Sequence, residues 1–324
     1  MAVFHTVDIS GKSFLVTGGA GFIGSHIVAY LLKNGAQKVR VLDNFLTGSA
    51  SNVSLFRDYD RYEFLEGDIR NPEICTLACE GIDHVSHQAA LGSVPRSVKD
   101  PVASNEVNVS GFVNIITAAK NAGVGTFVYA SSSSVYGDEP NLPKTEDRTG
   151  NLLSPYAVTK KTNELYAAVF ADLYGMKVAG LRYFNVFGPR QDPDGPYAAV
   201  IPLFINSILK REPVYINGDG GQTRDFTFVD NAVQANIRGM LAGNDSAYGQ
   251  VYNVAVGANF SVNFLYDSIC SMLVADHPAV HRAERPGDIR DSLADISRAR
   301  QLLGYEPTKQ FLDGLKLTVD FFTK

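Results

Sequence analysis

The run SFLVTGGAGFIG, residues 13–24, constrains the fold of this chain more than any other stretch. A strand-sized apolar segment, residues 13–18, gives way to glycines at 18, 21 and 24 and then to a helix-length segment, 22–34, that stops at Gly35. Glycine permits a tight turn and close approach of a ligand to the backbone. The positive end of the following helix favours a diphosphate there. On its own the run also reads as a plain strand–helix turn, so the rest of the chain must decide.

Strands predicted at 39–43, 62–68, 84–90, 126–132 and 177–183 alternate with helix-length segments. One long helix is expected over 100–123, opened by Asp100-Pro101, and another begins at Ser154-Pro155. That rhythm predicts an α/β protein: a Rossmann-type doubly wound parallel sheet with helices on both faces. After Asn185 the rhythm breaks into a Pro/Gly/Asp loop, a helix at 200–210, a strand at 214–217, a loop at 218–226 and a buried strand at 251–255. The expected division is a cofactor domain over 1–184, with returning segments near 225–256, and a smaller α/β substrate domain over 185–324, their boundary interleaved. Asp43 ends the second strand 19 residues after Gly24. A carboxylate there accepts hydrogen bonds from an adenosine ribose and repels a 2′-phosphate, and no Lys or Arg follows at Asn44 or Phe45. NAD is therefore favoured over NADP. Asp68-Ile69 ends the third strand at the same carboxyl edge.

Tyr156 and Lys160 lie in SPYAVTK, four residues apart, which on a helix puts both on one face. A phenol is a poor base at neutral pH. A fixed ammonium one turn away and the positive helix end are expected to favour the phenolate, giving a tyrosine able to take and return a proton. The ordinary alternative is a surface Tyr beside a solvated Lys.

Composition narrows the partners. The chain has 324 residues, 45% hydrophobic and 19% charged, and a net charge of −5, which argues against nucleic acid or an anionic membrane surface. The N-terminal residues do not read as a secretory signal, and the apolar stretches are strand-sized, so the expected location is cytoplasmic. Cys75, Cys79 and Cys270 read as reduced structural thiols, and no metal site is expected. None of the six histidines falls in a catalytic motif.

Taken together, TGGAGFIG (17–24), LDN (42–44), GDIR (67–70), ASSSSVYG (130–137), SPYAVTK (154–160) and LRYFNVFGPRQ (181–191) make the chain resemble the extended short-chain dehydrogenase/reductase family over essentially its full length. PYAAVIP (196–202), VYINGDG (214–220), QTRDF (222–226) and RPGDIRDSLAD (285–295) narrow the resemblance to the nucleotide-sugar 4-epimerases, above all the bacterial UDP-N-acetylglucosamine 4-epimerases. Related dTDP-glucose dehydratases carry an Asp-Glu pair where this chain has Ser133-Ser134, and UDP-glucuronate decarboxylases typically carry a glutamate near it. The serines count against both.

The resemblance implies a catalytic set of Ser132, Tyr156 and Lys160, with Lys160 also contacting the nicotinamide ribose. It implies NAD held by Gly18, Gly21, Phe22, Ile23, Gly24, Asp43, Asn44, Thr47, Gly48, Asp68, Ile69, Gln88, Ala89, Ala90, Asn108, Tyr156, Lys160 and Phe184. For a UDP-sugar it implies Ser93, Ser132, Ser133, Tyr156 and Asn185; Ala199, Val200, Tyr215 and Asn217 around uracil and ribose; Arg224 and Arg285 on the diphosphate; and Asp288 on the ribose. Ser292 stands where epimerases restricted to non-acetylated sugars carry a tyrosine, so it implies room for an N-acetyl group. The expected reaction is reversible C4 epimerisation of UDP-N-acetylglucosamine through a 4-keto sugar, with tightly bound NAD. The alternatives are epimerisation of UDP-glucose/galactose or of UDP-N-acetylglucosaminuronate and, outside catalysis, an NAD-binding scaffold or redox sensor. The family also implies a homodimer paired through the helices near 100–122 and 155–174, and the substrate class implies polysaccharide biosynthesis.

Overall fold

A computed structural model describes residues 2–194, 198–284 and 290–324. Seven strands form one all-parallel sheet: β1 (Ser13–Thr17), β2 (Lys38–Asp43), β3 (Tyr62–Glu66), β4 (His84–His87), β5 (Thr126–Ser132), β6 (Val178–Tyr183) and β7 (Gln250–Val254). Their spatial order is β7-β6-β5-β4-β1-β2-β3, so the winding reverses between β1 and β4. β1, β5 and β6 are buried along nearly all their length, as continuous apolar runs should be in a sheet covered on both faces.

Helices Phe22–Lys33, Val229–Met240 and Ser297–Leu303 pack together on one face; Pro72–Cys79, Gly111–Asn121 and Pro155–Tyr174 pack on the other. Each face has its own core, one including Val16, Val28, Val41, Leu181 and Tyr252, the other Leu15, Val85, Phe112, Ile115 and Phe127. A third core gathers Phe187, Phe204, Ile216, Phe226, Phe228, Leu265 and Phe311 below the carboxyl edge and belongs to a second lobe.

Two local expectations are corrected. The helix expected over 100–123 is broken into Pro101–Asn105, a π-helical turn at Glu106–Ser110 and Gly111–Asn121. β4 stops at His87, leaving 88–90 as a loop. The strand Val214–Asn217 pairs in parallel with Ala279–Arg282, which no sequence pattern marks because its side chains are mostly exposed and do not alternate. The caps match the sequence: Ser154 accepts from the Ala157 amide with Pro155 in the first turn, and Asp100 accepts from the Ala103 amide at 3.0 Å.

Candidate active site

The strand ends build the first cleft. Gly18, Asp43, Asn44, Thr47, Asp68, Ile69, Ala89 and Ala90 line one pocket at the point where the winding reverses, together with Leu46, Gly67 and Val107. This is where ligands bind in open parallel sheets. Gly18 adopts φ +69°, and a Cβ there would stand 2.7 Å from the Ala89 amide nitrogen. A Cβ on Gly24 would stand 2.1 Å from the Gly18 carbonyl oxygen. Glycine therefore brings the start of helix Phe22–Lys33 down against the β1 turn. The amides of Phe22, Ile23 and Gly24 belong to its first turn, which lacks intrahelical acceptors and suits an anion. Gly21 is its N-cap and gives no side-chain bond.

Asp43 is buried, and burial raises its carboxyl above the usual range; the amides of Phe45 (2.8 Å) and Ala20 (3.0 Å) donate to its two oxygens and hold it in place. A Cβ on Gly48 would approach Asp43 Oδ1 to 3.0 Å, so Gly48 closes the loop over that carboxylate. Asn44 Nδ2 donates to Asp68 at 2.8 Å, tying the ends of β2 and β3 together. An adenosine ribose and a diphosphate, both parts of NAD, fit this donor and acceptor set.

Three residues expected on the cofactor do something else with their side chains. Gln88 donates to Ser86 (3.0 Å) and Asn236 (2.9 Å) and accepts from Tyr183 (2.9 Å), forming a buried brace under the strand ends. Asn108, on the π-helical turn, accepts from the Leu91 amide at 2.7 Å and donates to the Leu91 carbonyl and to Thr159. It holds the loop after β4 against the helix Pro155–Tyr174. Phe184 is fully buried against Tyr136.

The catalytic candidates meet between the two lobes. Ser132 ends β5 and caps the 3₁₀ turn Ser133–Tyr136, its Oγ accepting from the Ser134 amide at 3.1 Å; Ser133 opens that turn, half-buried. The Ser132 hydroxyl faces the Tyr156 phenol and draws its pKa down. Lys160 is buried, and its Nζ donates to the Ala130 carbonyl at 2.8 Å, 5.9 Å from the centre of the Tyr156 ring. Here the electrostatic expectation is overturned. Burial pushes the Tyr156 phenol up, with only the Ser132 hydrogen bond acting the other way, and it pushes the Lys160 ammonium down to about 8. The lysine gives the phenolate no resolved help, its ammonium being turned to the Ala130 carbonyl. Burial also takes the neighbouring His87 to about 3, so it is neutral; its Nδ1 meets the Thr17 hydroxyl at 2.7 Å.

A second pocket, about 310 Å³, opens in the other lobe. Asn185, Ala199, Val200, Tyr215, Asn217 and Arg224 all line it, as expected. Gln222 and Arg282 join them, and sequence reasoning missed both. Arg282 donates from Nε to Asn217 at 2.7 Å, with its guanidinium 5.1 Å from the Tyr215 ring centre. No sequence pattern marks its strand, Ala279–Arg282, which is why it was missed. Arg224 Nη1 donates to the carbonyls of Thr223 (2.8 Å) and Arg290 (3.1 Å), which holds one edge of its guanidinium at the pocket. The adjacent Asp225 is fully buried; burial raises its carboxyl to about 6, opposed by the amides of Val256, Ala294 and Gly257 that donate to it.

Ser292 does not line this pocket. It lies half-buried beside it, its amide donating to the Thr223 carbonyl at 3.1 Å. Ser93 caps the helix Val94–Lys99 with φ +105°. Phe45, Ser93 and Asn185, all with positive φ, each stand in a loop that follows a sheet strand at this edge, and such backbone strain clusters where function needs it. Arg285 and Asp288 lie outside the described residues. Among the described residues no group of His, Cys, Asp and Glu is arranged to hold a metal, and no helix is long and apolar enough to cross a membrane. Cys75 and Cys79 are buried and unbridged.

The model of the NAD dependent epimerase/dehydratase family matches residues 14–255. A UDP-glucose 4-epimerase of Mycolicibacterium smegmatis is 40% identical over 311 residues, covering 95% of this chain and 97% of that protein. The structure of UDP-N-acetylglucosamine 4-epimerase from Methanobrevibacter ruminantium M1, in complex with UDP-N-acetylmuramic acid, superposes with a TM-score of 0.91 at 39% identity, covering 97% of this chain and 98% of that one. That of the Thermus thermophilus UDP-glucose 4-epimerase in complex with NAD gives 0.86 at 36% identity, covering 96% and 99%.

Proposed function

This chain belongs to the NAD-dependent epimerase/dehydratase family, and from that premise we propose that it is a UDP-sugar 4-epimerase acting on UDP-N-acetylglucosamine and UDP-N-acetylgalactosamine. The observation that carries the reading is that β5, which ends in Ser132 and packs under Tyr156 and Lys160, stands between β4 and β6, whose outgoing loops line the two clefts, one suited to a dinucleotide, the other lined by Arg224, Asn217 and Tyr215. The first cleft takes NAD, and the division of labour between residues 1–184 and 185–324 belongs to the same proposal.

When bound, NAD supplies a positively charged ring that accepts two electrons with the C4 hydrogen and returns them, so no outside oxidant is consumed. The chain's own part is proton handling and orientation. Tyr156 takes the proton of the sugar 4-hydroxyl as C4 is oxidised and returns it when C4 is reduced from the opposite face. Ser132 hydrogen-bonds the same oxygen. Lys160, bonded to the Ala130 carbonyl beside the Tyr156 ring, is placed to reach the nicotinamide ribose. Ser133 and Ser134 offer neither acid nor base for eliminating water, so the 4-keto sugar keeps its 6-hydroxyl. Arg224 anchors the diphosphate while the keto sugar turns over; by family motif Arg285 shares that role and Asp288 accepts from the uridine ribose.

The choice of sugar rests on Ser292. A small side chain leaves room for an acetamido group where a tyrosine would exclude it. Purified protein given UDP-N-acetylglucosamine without added NAD is expected to form UDP-N-acetylgalactosamine, with UDP-glucose and UDP-N-acetylglucosaminuronate run beside it to rank the sugars. Ser292→Tyr is expected to lower kcat/KM for the acetylated sugars about 10-fold or more beyond any loss on UDP-glucose. No product from any UDP-sugar would leave only a scaffold or redox sensor, and equal losses would remove Ser292 as the gate.

A homodimer is part of the proposal. On the helix Pro155–Tyr174, Val158, Leu165, Val169 and Leu173 are exposed at spacings of seven, four and four residues, one continuous stripe. Val98 and Val102, exposed on the neighbouring helices, extend it. An apolar stripe of this kind suits a self-complementary contact across a two-fold axis, and a cytoplasmic place of action accords with the composition. Sedimentation equilibrium is expected to give twice 35.1 kDa, with Leu165→Glu returning the protein to a monomer. A monomeric parent protein would rule the contact out.

A further inference from the structure

The catalytic groups sit on two different elements, Ser132 on β5 and Tyr156 and Lys160 on the helix Pro155–Tyr174. Something must fix how that helix lies on the strand. The last three residues of β5 all face it: the Ala130 carbonyl accepts from Lys160, Ser131 Oγ donates to Glu164 Oε1 at 2.7 Å, and Ser132 stands beside the Tyr156 phenol. Tyr156, Lys160 and Glu164 are spaced at four residues, so they share one face of the helix on successive turns.

The link through Ser131 is the most heavily held. Arg182, on β6, stands directly beside Ser131 in the sheet register. Its Nε donates to Glu164 Oε1 at 2.8 Å and its Nη2 to Oε2 at 2.9 Å, a two-pronged contact; Nη1 donates to the Glu146 carbonyl at 2.9 Å. The guanidinium lies 4.9 Å from the centre of the Tyr136 ring, in the turn that follows Ser132. Lys161 reaches Glu164 Oε2 at 3.2 Å from the rim. Arg182, Ser131 and Glu164 are 1%, 2% and 7% exposed.

Burying such a pair is a poor way to gain stability, since well-packed apolar side chains serve as well or better. What a two-pronged charged contact adds is geometry: it fixes distance and angle, where an apolar contact slides. We propose that Glu164, gripped by Ser131 and Arg182, is a positioning residue that sets the register of the catalytic helix on β5 and thereby the placing of Tyr156 against Ser132. The inference rests on the reading of Ser132, Tyr156 and Lys160 as the proton-handling set.

Ser131→Ala tests it in the purified protein with its bound cofactor, because that change cuts the strand–helix link and leaves Arg182 and Glu164 paired. A second protein, Glu164→Met with Arg182→Met, replaces the pair by apolar side chains and leaves no lone charge. Both are expected to lose about 10-fold or more in kcat, with KM for the UDP-sugar held within about twofold. The limb of the kcat/KM profile that rises with pH should move to higher pH, because a loosened Ser132 contact no longer favours the phenolate. The Tyr156 titration, read as the ultraviolet difference between each protein and its Tyr156→Phe version, should move the same way. Unchanged kcat, or a loss that only follows melting temperature with both pH readouts unshifted, overturns the proposal. If the parent protein turns over no UDP-sugar, the functional reading fails and the phenol titration alone decides: a shift sustains the positioning role, and an unshifted curve removes it.

Discussion

Tyr156→Phe is expected to lower turnover by about 10³-fold or more, a loss at the upper part of what a positioned acid–base group contributes. The substitution removes one oxygen and leaves the ring, so packing against the neighbouring helices is kept. Ser132 then loses its partner, and the other candidates cannot replace the phenol: the imidazole of His87 is neutral, buried and committed to Thr17. Lys160 cannot serve, since it points at the Ala130 carbonyl. Steady-state kinetics paired with the NAD content of the purified protein checks the claim. Turnover within tenfold of the parent would mean another group moves the proton; lost NAD would mean the phenol holds the cofactor rather than serving the reaction.

The second large effect is expected from Gly24→Ala. A methyl group there would meet the Gly18 carbonyl oxygen at 2.1 Å, backbone against backbone, with no flexible side chain to give way. Either the helix Phe22–Lys33 lifts from the β1 turn or the turn opens, and both remove the anion-binding first turn from the cleft. The expected outcome is protein without bound NAD and a stability loss of about 4 kcal/mol or more, the range reserved for severe local strain. Denaturant midpoints and cofactor content read this directly. Gly243→Ala is the control, because nothing lies within 4 Å of the Cβ it would carry, and it should change neither. A Gly24→Ala protein that kept its NAD would show that the turn is softer than its contacts imply.

Much of the sheet was legible because its signal is dense and local. β1, β2, β5 and β6 are apolar runs bounded by turn residues, and buried parallel strands have little choice but to be so. Caps such as Ser154 and Asp100 were legible for the same reason, since a side chain three residues from its amide leaves a spacing that can be read. The substrate lobe was harder. Its strands are two to four residues long, too short for any period, and Ala279–Arg282 was missed outright although Arg282 lines the pocket. The error on Tyr156 had another cause. Spacing places two side chains on one face but says nothing of what the lysine's hydrogens do or how far the pair is buried, and burial set the direction. Glu164 and Arg182 were invisible as a pair: they lie 18 residues apart in sequence, and each alone looks like an ordinary surface charge.

The returning strand β7 has a bearing on how the chain is made. It supplies the sheet's outer member beside β6, yet it is drawn from residues 250–254, after the chain has already passed through much of the second lobe. The helix Val229–Met240, which covers one face of that sheet, comes late too. A ribosome that has released only the first 184 residues has therefore delivered β6 with a bare edge and left β4, β5 and β6 uncovered on the face that Val229–Met240 packs against. The seven-stranded sheet cannot be completed during synthesis before residues 250–254 are made. For the same reason, transplanting the substrate lobe from a related protein takes more than one splice: the graft must leave at β6, return β7 to its place, and leave again.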